Sequence, residues 1–140
     1  MKTTLIRNVS VVNEDTIRAC DVLIDGAVIS HIASAGSLNE NADEIIDGTG
    51  KFLLPGLIDD QVHFREPGQE KKETILDGTE AAINGGITGV VMMPNTSPSV
   101  DSPTVVKRVL EQGGKCRIPV LTSACITVDR AGHEMAPIAG

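Results

Sequence analysis

Tryptophan and tyrosine are absent from the 140 residues, and phenylalanine occurs only twice. An aromatic core is therefore excluded, and the interior has to be built from aliphatic residues, alanine and methionine. Basic clusters are missing as well. Twelve Lys and Arg stand against nineteen Asp and Glu, a formal net charge of −7. Phosphate binding needs clustered cations, so this balance argues against a nucleic-acid surface. No apolar run approaches the length that spans a bilayer. MKTTLIRNVSVVNEDT at the N-terminus lacks the continuous apolar segment of a secretory signal. The three cysteines, Cys20, Cys116 and Cys125, are far apart and have no CxxC spacing. That usage reads as buried, reduced thiols in a cytoplasmic protein.

What is present divides the chain in two. Residues 1–55 read as short strands. LIRNVSVVN is rich in β-branched residues, and DVLIDGAVISHI places two apolar stretches around Asp25-Gly26, a dipeptide suited to a tight hairpin. DEIIDGTGKFLLPG repeats the pattern with Gly48 and Gly50. These features predict a small, mostly antiparallel β-domain.

From residue 56 the rhythm changes. GLIDDQVHF reads as a strand. EKKETILDGTEAAINGG reads as a helix with Ile75, Leu76, Thr79, Ala82 and Ile83 on one face. ITGVVMMP is a buried strand. DSPTVVKRVLEQGG is a second helix, with Asp101 or Ser102 as cap, Pro103 in its first turn, and Val105, Val106, Val109 and Leu110 as its apolar face. CRIPVLTSACI is a third strand, and DRAGHEMAPIAG is suited to begin a third helix. The two Gly-Gly stops, at 85–86 and 113–114, lie 28 residues apart. Such a repeat implies β/α units, parallel strands and right-handed crossovers. An open doubly wound sheet and a (β/α)8 barrel both satisfy it. A barrel needs about 250 residues, so residues 56–140 would form its first three β/α units.

Side chains alternate along a strand, so Gln61, His63 and Arg65 share one face and Asp60, Val62 and Phe64 the other. REPG then opens the first βα loop, and MPNTSP forms the second. Both lie at the C-terminal ends of parallel strands, where sites are built in either architecture. His63 has the chemistry of a metal ligand, or of a histidine hydrogen-bonded at a strand end. Arg65 suits a carboxylate clamp with two parallel N–H bonds, or a surface ion pair with Glu66. Asn95 can donate its amide to a carboxylate, or simply shape a turn. Asp59 and Asp60 face opposite ways. His31 and His133 have no sequence partners, and the remaining carboxylates read as solvated surface.

Taken together, LLPGLID, VHFREPG, KETI, GTEAAINGGIT and MMPNTSP resemble the N-terminal portion of dihydroorotase, of the long type related to allantoinases and hydantoinases in the amidohydrolase superfamily. The resemblance implies a metal-dependent hydrolase barrel preceded by a small β-domain. It implies interconversion of dihydroorotate and N-carbamoyl-L-aspartate in pyrimidine biosynthesis, at a site with one or two Zn2+ ions. It assigns His63 to a metal, and Arg65 and Asn95 to the substrate carboxylate. Gln61 stands where the family has a first metal-binding histidine, and an amide oxygen is a weak zinc ligand beside imidazole. No catalytic residue falls within the chain; the rest of the site is expected downstream, and the chain alone is expected to be inactive. Two other readings follow from the resemblance. One is a non-catalytic dihydroorotase-like scaffold subunit for aspartate carbamoyltransferase, which the loss of a ligand histidine favours. The other is a hydantoinase or allantoinase relative, against which Arg65 speaks. The resemblance also allows a homo-oligomer.

Overall fold

The computed structural model describes residues 2–39 and 41–137. The chain forms two compact units, Met1–Pro55 and Gly56–Gly140.

In the first unit, β1 (Thr3–Asn13), β2 (Thr16–Asp25) and β3 (Val28–Ser34) form an antiparallel meander. β4 (Glu44–Asp47) and β5 (Phe52–Leu53) then pair parallel to β1. The β2–β3 turn uses Gly26 at φ +60°, as the Asp-Gly dipeptide predicts. Glu14 and Asp15 make the β1–β2 turn, both with positive φ, a geometry that hairpins require even without glycine. Leu5, Val9, Cys20, Val22 and Leu23 are buried.

Asp21 corrects the expectation that carboxylates outside the mouth loops are solvated, because it is fully buried. β1 bulges between Ile6 and Val9, with Asn8 at φ +55°. The bulge frees the Asn8 N–H, which donates to Asp21 Oδ1 at 3.0 Å, while Leu38 N–H donates to Oδ2 at 3.2 Å. Burial pushes the carboxyl up, but backbone donors from Asn8, Leu38 and Gly36, with Arg7 nearby, outweigh it and hold the group below its ordinary range.

In the second unit, β6 (Leu57–Val62), β7 (Ile87–Met92) and β8 (Val120–Thr122) form a parallel sheet in that order. α1 (Ile75–Asn84) and α2 (Pro103–Gly113) cross between them. Thr74 and Asp77 form a reciprocal capping box at the start of α1. Pro103 opens α2, as expected, and Ser102, one of the two predicted caps, is the N-cap, although it makes no side-chain bond. Asp101 is used elsewhere, its Oδ2 accepting the Asp129 N–H at 2.8 Å. Phe64, Ile75, Val90, Met92, Val100, Val109 and Val120 make the core. Gly78 admits the Phe64 ring, which a Cβ there would overlap.

The sheet carries one irregularity that matters for the site. Asp59 pairs with Val90 but Val62 pairs with Met92, so β6 holds one extra residue just before its C-terminal end.

The third helix expected from residue 129 does not form in residues 129–137. Val128–Arg130 is a single 3-10 turn, followed by an isolated bridge between Thr127 and Met135. Asp129 and Arg130 both take positive φ, which breaks a helix at once. His133 lies exposed in this segment, and residues 138–140 lie outside the described residues. The second unit therefore shows two complete β/α units and a third strand. No helix among the described residues is long and apolar enough to cross a membrane.

Candidate functional site

The end of β6 delivers Gln61, His63 and Arg65 exposed, Val62 half-buried and Phe64 buried. Phe64 fills the core beneath the helices, which leaves the neighbouring polar side chains on solvent. The chain then turns through REPG. Glu66 Oε2 accepts the Ile75 N–H at 2.9 Å, capping the first residue of α1. This contact was not anticipated; a glutamate nine residues before a helix start carries no local capping signature. Glu66 is thereby drawn away from Arg65, and Arg65 makes no ion pair among the described residues.

Asn95 approaches from the loop after β7. Its Oδ1 lies 3.0 Å from His63 Nδ1. With the amide oxygen as acceptor, Nδ1 is the donor, and in the neutral ring Nε2 then keeps its lone pair. Asn95 Nδ2 retains its two donors. An imidazole with one free nitrogen, an amide with free N–H groups and an exposed guanidinium are thus gathered on two adjacent βα loops. Neighbouring contacts fix the second loop. Val100 N–H donates to Pro94 O at 3.1 Å, and Thr96 Oγ1 donates to Pro98 O at 2.7 Å.

In donor chemistry, the mouth offers one imidazole and one amide oxygen, Gln61. No group of three or more His, Cys, Asp or Glu side chains suited to a metal ion occurs among the described residues. A zinc ion needs about four ligands, so these residues do not hold one by themselves. The Gln61 backbone N–H donates to Asp59 Oδ1 at 3.0 Å, and its side chain has no hydrogen bond among the described residues. The thiols add nothing here. Burial pushes Cys125 up, aided by Asp101, and its sulfur sits 3.6 Å from Pro94 O; a protonated, packed thiol is inert.

Polar side chains collected where parallel strands end are the arrangement by which β/α proteins bind small molecules, and the comparisons with known proteins agree on the class. The family model described as dihydro-orotase-like matches residues 50–140, and the chain belongs to that family. It is 47% identical over 129 residues to a dihydroorotase of Carboxydothermus hydrogenoformans, covering 92% of this chain and 30% of the relative. It is 45% identical over 118 residues to a dihydroorotase of Streptococcus pneumoniae, covering 84% of this chain and 28% of the relative. Among solved structures, an L-hydantoinase (dihydropyrimidinase) from Arthrobacter aurescens superposes with a TM-score of 0.78 at 26% identity, covering 91% of this chain and 28% of that one. The chain therefore spans about 30% of the length of these relatives.

Proposed function

We propose that the chain is the carboxylate-binding portion of a dihydroorotase-type cyclic amide hydrolase, acting on dihydroorotate and N-carbamoyl-L-aspartate. In this reading, residues 1–55 belong to a small β-domain and residues 56–140 to the first strands of a (β/α)8 barrel. Arg65 grips the substrate carboxylate with paired N–H donors. Asn95 adds Nδ2–H while its oxygen holds the His63 ring. The observation that carries the reading is the His63–Asn95 contact of 3.0 Å, which unites the two loops around an exposed Arg65 that has no ion pair among the described residues. An arginine so placed selects a ring bearing a carboxylate over a plain hydantoin ring.

Zinc, which the family suggests, would find one ligand in His63 Nε2 and a weak one in Gln61. The remaining ligands would have to come from outside the described residues, so no chemical step is assigned to the metal here.

Gln61 specifically favours a second reading, a non-catalytic subunit that holds aspartate carbamoyltransferase. One experiment separates the two. The chain is joined to the complementary remainder of the Carboxydothermus hydrogenoformans dihydroorotase and assayed for dihydroorotate hydrolysis, with Gln61 kept and with Gln61→His. The enzymatic reading expects activity, and tighter zinc binding with Gln61→His. Inactivity of both forms removes the enzymatic reading, and co-purification of the chain with aspartate carbamoyltransferase then supports the second.

A further inference from the structure

The loops after β6 and β7 are joined at two points. The first is His63 Nδ1 against Asn95 Oδ1 at 3.0 Å. At the second, Ser97 N–H donates to Pro67 O at 3.1 Å. Residues 63–67 and 95–97 thus close a small ring, and Arg65 and Asn95 both lie within it.

Gly68 lies immediately beyond the second junction, at φ +100°. A Cβ there would overlap the Ser97 carbonyl oxygen, and would meet the Ser97 carbonyl carbon at 2.8 Å and its Cβ at 2.9 Å. The first two are backbone atoms, so no rotamer change relieves the overlap. The Gly68 N–H donates to Glu70 Oε1 at 2.9 Å and holds that carboxyl below the ordinary range. Glu70 in turn meets Arg108 of α2 at 3.3 Å. The loop is therefore braced from behind, and any added bulk at residue 68 has to push the β7 loop away.

We propose that Gly68 is a positioning residue: by admitting the Ser97 carbonyl it sets the spacing between Arg65 and Asn95, and so the affinity for a substrate carboxylate. The inference rests on the reading of those two side chains as carboxylate partners. Gly86 provides the matched control. It has a similar φ of +85° but open space around its Cβ position, and it precedes β7 at the end opposite Asn95. Gly86→Ala suffers the backbone strain without the collision.

The test uses the joined enzyme described above, carrying whichever residue at 61 supports activity. Gly68→Ala should raise KM for dihydroorotate on the order of 10- to 100-fold, with a smaller fall in kcat. Gly86→Ala should lower the melting temperature and leave KM within about twofold, as for a change remote from the substrate. The effect of Gly68→Ala on KM should vanish in an Arg65→Met background, because both act on one clamp. An unchanged KM in folded Gly68→Ala, or full additivity with Arg65→Met, overturns the inference while leaving the carboxylate reading intact. An unchanged KM in Arg65→Met, or inactivity with either residue at 61, removes the carboxylate reading and the inference with it. If Gly68→Ala does not fold, amide exchange in the unaltered enzyme decides. Ser97 N–H should exchange as slowly as the β7 amides, and exchange at the rate of an open loop overturns the inference.

Discussion

The two units treat polar groups in opposite ways. In the β-unit, Asp21 is buried completely and its carboxylate oxygens are taken up by backbone N–H groups. In the β/α unit, Gln61, His63 and Arg65 stand in solvent, and Asn95 spends only its oxygen. A charge whose acceptors are filled by its own backbone has nothing left for a ligand; it holds a bulge in shape. A charge left without partners at a strand end keeps its full capacity for one. The difference separates structural from binding polarity better than residue type does, because both sets contain charged side chains.

The comparison can be broken most sharply at Asp21. Asp21→Ala strands two part-buried N–H donors and should cost about 2–3 kcal/mol of stability, read as a lowered denaturant midpoint. KM for dihydroorotate in the joined enzyme should not move. Arg65→Met is the mirror case. It should raise KM by roughly 30-fold, or about 2 kcal/mol, the worth of a charge-assisted hydrogen-bond pair, with no loss of melting temperature. A fall in stability on Arg65→Met would place that side chain in the structural class after all. Gly78→Ala presses on the Phe64 ring and should cost about 1–2 kcal/mol by overpacking, measured by thermal unfolding.

The smallest effect expected is in acid. The folded value of Asp21 lies below its ordinary 3.8. Its contribution to stability is therefore fully present above about pH 4 and is lost as the pH falls through the lowered folded value. Asp21→Asn should flatten the acid limb of the stability curve; an unchanged limb would show that other carboxylates govern it.

Much of this was legible from periodicity. The α1 and α2 ranges follow their apolar spacing and glycine stops. His63 and Arg65 are exposed and Phe64 is buried, as alternation expects, although all three lie just past β6, and Asp60, expected on the face opposite Gln61, is exposed as well. The approach of the two loops follows from parallel topology. Longer-range features were not legible. The role of Asp21 depends on a bulge whose Asn8 lies 13 residues away in sequence, and no local pattern announces it. Asp101, the other candidate cap of α2, is instead captured by a segment 28 residues on. The third helix was expected from composition, but two residues at positive φ divert the chain. The fit of Gly68 against Ser97 is a contact between loops, and a glycine after proline reads from sequence only as a turn.

The extra residue in β6 has a consequence for how this segment tolerates change. It lies between Asp59 and Val62, after the first half of the strand has paired and before His63. Deleting Asp60 would restore an even ladder from Ile58 to the end of the strand, and by local pairing alone would look like an improvement. Downstream, the same deletion would exchange the directions of His63 and Phe64, driving an imidazole under the helices and a phenyl ring into water. The bulge therefore works as a phase-setter: the start of the strand can obey the sheet while its end obeys the site. An in-frame loss of one codon here would be silent to the reading frame and disabling to the mouth.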